Sequence, residues 1–202
     1  MFGRFPPVNI GNEGGEVTPD RLVTEPLHGF RTWMVGADVY GLALRSVGQP
    51  KYSWTNPETA QCMVKQPHVA PDPSCTCGLY AQLPDQPIAE WEGYRKGRVS
   101  ATGTIAMSGR IIICEKGFKA QHAEIVSSVV LDVSCAWSNG KHRCMADVSH
   151  VDTSDLAFLR AWCADHAFKE GRQLQDSREW LGHACDLLAE RYEGVDFLTW
   201  QI

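Results

Sequence analysis

The sequence predicts an α+β fold, an antiparallel β-sheet meander followed by two C-terminal helices. Two observations carry this. Blocks of β-branched and aromatic residues run between residues 29 and 133, broken by Gly, Asn and Ser, and after His150 the apolar spacing lengthens to three and four. Strands first and helices afterwards is the order of an α+β chain.

The elements follow in order. Residues 1–28 hold Pro6, Pro7, Gly11, Gly14, Gly15, Pro19 and Pro26 without periodicity, the composition of an extended N-terminal arm. From Gly29 to Val47 two aromatic and β-branched runs flank Gly36, Ala37 and Asp38, which reads as a hairpin. A Pro-, Ser- and Cys-rich stretch over 48–78 has too few apolar residues to form a layer. Order there must come from another source, and a metal ion supplies one.

Past a second Pro-containing connector, the block Arg98–Met107, Arg110–Cys114 and Phe118–Ile125 reads as an antiparallel meander. Its Glu115-Lys116-Gly117 element places glycine where a hairpin needs positive φ, and alternation beyond it sets Phe118, Ala120, His122 and Glu124 on one face. Val129–Val133 is a further strand. Thr153 or Ser154 is then expected to cap a helix bearing Leu156, Leu159, Trp162, Cys163 and His166 on one stripe. Ser177 is expected to cap a second, with Trp180, Leu181, Ala184, Leu187, Leu188 and Tyr192 on its apolar side and Gly194 after it.

The chain has 202 residues and a formal net charge of −5, so it carries no overall positive field for phosphate backbones or anionic lipid. Nucleic acid is therefore a disfavoured partner. A local basic strip of Arg95, Lys96, Arg98, Arg110, Lys116 and Lys119, with Phe118 beside it, would be the exception, and a solvated sheet face is its plainer explanation. No apolar stretch approaches the roughly 20 residues of a membrane span, and Met1–Pro7 lacks a long apolar core after a basic start. The expectation is a cytoplasmic protein whose eight cysteines are reduced thiols rather than disulfides.

The chemistry concentrates at Cys62, His68, Cys75 and Cys77. Three thiols and one imidazole within a single loop form a complete tetrahedral set of borderline-soft ligands, for which zinc is the usual occupant. Pro67, Pro71 and Pro73 restrict the loop and lower the entropy lost on closing it, and Gly78 lets the backbone turn away after the last ligand. The Cys75-Thr76-Cys77 gap is tighter than in common zinc fingers, and it does not match iron–sulfur spacings. Four protein ligands leave no open position for water, so the zinc is expected to be structural. Asp72 or Glu58 would serve as general base only if His68 were not a ligand. The organisation is then an arm over 1–28, a β-rich domain with a zinc-stapled loop over 29–150, and a helical part over 151–202 packed on it.

Cys135, His142 and Cys144, with Cys163 and His166 downstream, are candidates for another metal site. Cys163 and His166 also share the expected apolar stripe with Trp162, where small thiols and a hydrogen-bonded histidine are common, and a core role is the expectation. Cys114 and His122 are expected to face each other across a hairpin as ordinary sheet neighbours. There is no Gly-x-Ser-x-Gly elbow and no phosphate-binding glycine pattern. No catalytic residue is assigned.

Two stretches carry a resemblance. Cys62-x5-His68-x2-Pro71-x3-Cys75-Thr-Cys-Gly-Leu-Tyr-Ala81 and Gly109-Arg-Ile-Ile-Ile-Cys-Glu-Lys-Gly-Phe-Lys-Ala-Gln-His-Ala123, after the aromatic strand Gly29-Phe-Arg-Thr-Trp33, resemble a group of uncharacterised proteins of actinobacteria and their phages. The resemblance covers residues 29–125 and implies that the cysteine loop and the Glu-Lys-Gly hairpin share one domain. It carries no activity. The functional expectation is a non-enzymatic, zinc-stabilised interaction protein binding a protein partner, with Trp54, Trp91 and Trp137 as candidate anchors, for each of which burial over the core is an equal alternative. A nucleic-acid binder or a zinc-dependent hydrolase built on the same loop is the competing reading.

Overall fold

The computed structural model describes residues 25–62, 68–83, 98–114, 117–136, 144–155, 159–170 and 174–199. Strand β1, Leu27–Asp38, pairs antiparallel with β2, Gly41–Ser46. The expected hairpin is present, but its turn is Val39-Tyr40 rather than residues 36–38, because Gly36 and Ala37 pair with Ala43 and Leu42 inside the ladder. The Asp38 carboxylate accepts the Tyr40 N–H at 2.8 Å and closes the turn. At the other end of β1, Leu27 and His28 already pair with Met107 and Ala106, so the strand begins inside the expected arm. Residues 1–24 of that arm lie outside the described residues.

The expected meander is instead one long hairpin. Strand β5, Val99–Cys114, follows the short strands β3, Glu58–Thr59, and β4, Leu79–Gln82, and runs unbroken through Gly109. Both β6, Gly117–Ile125, and β7, Val129–Val133, pair antiparallel with β5, at Ile105–Cys114 and Val99–Thr102 respectively. They are two parts of a single return path. Ser127 and Ser128 interrupt it, and the Ser127 hydroxyl accepts the Thr104 N–H at 2.8 Å.

A bulge between Ser108 and Ile111 shifts the register of β5 against β6. The face of β6 changes with it: Phe118 and Ala120 are buried, then Ala123 and Ile125, while His122 is half-buried and Glu124 is exposed. The side of β6 that carries Phe118, Ala120, His122 and Glu124 is therefore buried at its first two residues and opens towards solvent at its last two.

The pairing also returns on itself, since β1 joins β5, β5 joins β6, β6 joins β4, and Phe30 of β1 pairs with Gln82 of β4. Gly117 sits at this closure. Its φ is not positive, contrary to expectation, and its need for glycine is one of space, because a Cβ there would lie 2.1 Å from the Ala81 carbonyl oxygen.

The C-terminal part mixes strand and helix where two helices were expected. Three-residue strands β8, His150–Asp152, and β9, Arg160–Trp162, pair antiparallel, and helix α1 spans only Ala164–Glu170. Strand β10, Leu174–Asp176, completes this small sheet on the other edge of β8. Helix α2, Ser177–Arg191, is the second expected helix, with Asp176 rather than Ser177 as its cap, accepting the N–H groups of Arg178 and Glu179. Strand β11, Phe197–Thr199, then pairs parallel with β7.

The main core gathers Trp33, Leu44, Ile105, Met107 and Leu131 of the sheet beneath Trp180, Leu181, Ala184 and Leu188 of α2. Burial of large apolar side chains here is the dominant stabilising term. Tyr192 and Arg191 fasten the end of α2. The Tyr192 hydroxyl accepts from the Leu44 N–H and donates to the Trp54 carbonyl, both at 2.9 Å. The Arg191 guanidinium grips both oxygens of Asp38 at 2.9 and 2.8 Å. No helix among the described residues is long and apolar enough to cross a membrane.

Candidate metal centre

Cys62 follows β3 on a loop whose other end, through Cys77, leads directly into β4. Between them the structure brings the Sγ atoms of Cys62, Cys75 and Cys77 and a ring nitrogen of His68 within 4.8 Å of one another. Cys62 and Cys75 are 3.8 Å apart at sulfur, and His68 Nε2 lies 3.1 Å from Cys77 Sγ. A tetrahedron with metal–sulfur bonds of about 2.3 Å has sulfur–sulfur edges of about 3.8 Å, whereas a disulfide is about 2.05 Å long. The expected four residues therefore converge as a ligand set that fits a metal ion. None of the eight cysteines, all within the described residues, forms a disulfide.

Local structure prepares the loop for this. The Asp72 carboxylate accepts the N–H and hydroxyl of Ser74 at 2.8 and 2.6 Å, and the Asp72 carbonyl accepts the Cys75 N–H at 3.1 Å, forming a turn that presents Cys75. Gly78, where the backbone was expected to turn away after the last ligand, has φ +125°, and a Cβ there would press on Pro71 and Lys119. The Cys77 N–H is the largest influence on the Cys75 thiol and draws it below its ordinary value, with burial opposing. Burial pushes the Cys77 thiol up, only partly offset by the Asp72 N–H.

Lys119 is the residue that sequence reasoning misplaced. It is buried beneath the loop, and its Nζ donates to the carbonyls of Asp72 and Cys75 at 2.7 and 2.8 Å. A lysine between Phe118 and Ala120 carries no sequence signal for this, since lysine ordinarily marks an exposed strand face. Phe118 is buried as well, so the candidate basic strip loses Lys119 and its aromatic, and the solvated sheet face preferred for these residues does not hold at Lys119 either. Arg98 donates to Met34 Sδ and Arg110 reaches the Pro71 carbonyl, while Arg95, Lys96 and Lys116 lie outside the described residues.

The alternative general bases are engaged elsewhere. Glu58 accepts the N–H and hydroxyl of Thr55 and the N–H of Thr59, and Asp72 is held by Ser74. Cys114 pairs with Gly117 and His122 with Ser108, so these two do not face each other across the hairpin. His122 Nδ1 instead lies 3.1 Å from the Thr59 hydroxyl.

Trp54, weighed between an anchor and a core residue, is 3% exposed and sits edge-on to Trp33 at 5.7 Å between ring centroids. The Arg31 guanidinium lies 4.3 Å over its ring, and burial lowers the pKa of that arginine to about 10, leaving it charged at neutral pH. Trp54 is a core residue in this structure. Trp91 and Trp137 lie outside the described residues.

A second group also fits a metal ion: Cys135, Cys144, Cys163 and His166, whose ligand atoms again lie within 4.8 Å of one another. Cys144 and Cys163 are 3.7 Å apart at sulfur, and His166 Nδ1 lies 3.1 Å from Cys163 Sγ and 3.6 Å from Cys135 Sγ. Burial pushes the Cys163 thiol up, yet the N–H groups of His166 and Asp165 and the neighbouring thiols outweigh it and hold the thiol below its ordinary value. His142, the other candidate for this group, lies outside the described residues. Comparison with known proteins returns no family model, no curated protein and no solved structure that matches this chain.

Proposed function

We propose that the loop at Cys62, His68, Cys75 and Cys77 holds a structural zinc ion, and that the chain is a non-enzymatic protein that binds a protein partner. The convergence of three sulfurs and one imidazole nitrogen from a single loop carries the zinc reading. Three thiolates and a neutral imidazole suit a borderline-soft, redox-inert dication. With zinc bound, the set carries one net negative charge, and the buried Lys119 ammonium clamped to the same loop supplies an opposite one.

Four protein ligands complete the shell and leave no place for an activated water, which favours a structural role over hydrolysis. Engagement of Glu58 and Asp72 in their own turns points the same way. The binding role is supported by the hairpin tip, where Val39 and Tyr40 are 90% and 86% exposed on a turn pinned by Asp38. The resemblance described above suggests an actinobacterial or phage setting.

The test is metal content by mass spectrometry on the wild type and on Cys75→Ser, each with thermal unfolding and an ester- and phosphoester-hydrolysis assay. Zinc lost with Cys75→Ser, together with a lowered Tm and no hydrolysis in either protein, is the expected result. A wild type that retains no metal yet unfolds at the same temperature as the variant would remove the zinc reading. Hydrolysis restored to the apo protein by zinc would replace the structural role with a catalytic one.

A further inference from the structure

We propose that Cys135, Cys144, Cys163 and His166 form a second, independent zinc site, which fastens the small sheet and helix α1 to the end of β7. Its four ligands come from three separate places: just past β7, the approach to β8, and the start of α1. The sulfur–sulfur distance of 3.7 Å and the nitrogen–sulfur distances of 3.1 and 3.6 Å approximate the edges of a tetrahedral Cys3His shell, about 3.8 and 3.6 Å. These are too long for a covalent bond between thiols. The Cys163 N–H also points at Cys135 Sγ, 3.4 Å away, as a donor would toward a metal-bound thiolate.

The surroundings supply the reason for an ion. The hydrophobic cluster of this region contains four buried residues, Cys135, Trp162, Cys163 and Ala167, so two of its four members are themselves ligands. Strands of three residues and a helix of seven have little core of their own beyond this cluster, with Val151 of β8 and Leu159 reaching into the main core. Among the described residues the backbone links to the main sheet are few: isolated bridges join Arg98 to Arg160 and Cys135 to Ala161, Val99 donates to the Leu159 carbonyl, and Ala136 donates to the Ala161 carbonyl. A tetrahedral ion would tie Cys135, just past β7, to Cys144, Cys163 and His166 on the other side of that junction. The two sites share no residue, so this one does not depend on the first.

The experiment counts zinc by native mass spectrometry on the full chain in four forms: wild type, Cys75→Ser, Cys163→Ser and the double variant. About two ions per chain are expected in the wild type, about one in each single variant and none in the double. Intact wild type supplies a control against misfolding. Alkylation mapped by peptide should leave Cys135, Cys144 and Cys163 unmodified until a chelator is added, while His166→Cys should keep both ions and shift the cobalt-substituted spectrum. One zinc in the wild type, kept by Cys163→Ser and lost by Cys75→Ser, would overturn the second site and leave the first standing. The opposite pattern would overturn the first and leave the second. Alkylation of Cys144 at equal rates with and without chelator would also overturn the second site.

Discussion

The two clusters use the same ligand chemistry on foundations of different strength. The first lies on the main sheet, with its loop clamped by Lys119 of β6 and its last ligand running into β4 above a core of large apolar residues. The second lies in a region whose buried cluster is half cysteine and whose strands are three residues long. A metal added to an already folded scaffold trims a loop, whereas one added to a unit with a small core of its own would supply a larger share of that unit's stability. Identical ligands can therefore differ widely in consequence.

The largest expected effect is on chelation. Structural zinc in small peptides contributes about 10–16 kcal/mol of apparent folding free energy. Hydrogen exchange after metal removal should show β8, β9, α1 and β10 losing protection together, while β1 and β5 keep theirs. Simultaneous loss across both regions would erase the contrast. Next in size is Leu188→Ala, which opens a cavity between α2 and the main sheet and should lower global stability by about 2–5 kcal/mol in a denaturant titration, with zinc content unchanged.

Lys119→Met separates the sites more finely. It strips donors from two loop carbonyls and removes the buried cation, so the affinity of the first site should fall by about 10–100-fold in a competition titration while the second is unaffected. Equal weakening of both would mean that the sites are coupled through the sheet. The smallest effect is at Asp38→Asn, worth about 1–2 kcal/mol. The bond to Arg191 comes first among the causes that hold the Asp38 carboxyl far below the usual range, with burial opposing and Ser53 and Tyr40 assisting. Its folded value is depressed, so the stabilisation is complete above the unfolded carboxyl pKa of about 4 and is lost as pH falls further. The difference in Tm between wild type and Asp38→Asn should be full at pH 7 and shrink below about pH 4.

The first cluster was legible because its ligands lie within one short, apolar-poor loop that has no other means of ordering itself. The second was harder to read. Its ligands span Cys135 to His166 with two strands between, and the three-and-four spacing of Leu159, Trp162, Cys163 and His166 imitates one helix face. What decides the matter is nonlocal, since Arg160–Trp162 finds β8 to pair with and only then does α1 begin. Likewise, nothing local in Val126–Ser128 reveals that the chain stays on the same edge of β5 rather than turning into a new strand. Lys119 was misjudged, and Trp54 left open, for a shared reason: residue type predicts exposure only on average, and each is covered by partners remote in sequence.

The parallel pairing of β11 with β7 gives the chain a direction in time. Val129 and Leu131 lie on an edge that gains its partner only when Phe197–Thr199 has been made, while every ligand of both clusters is made earlier. On a ribosome, both ions could load before the main sheet is closed. During that interval the edge of β7 is an open template for strands of other chains, and early metal capture would limit how much else is unfolded beside it.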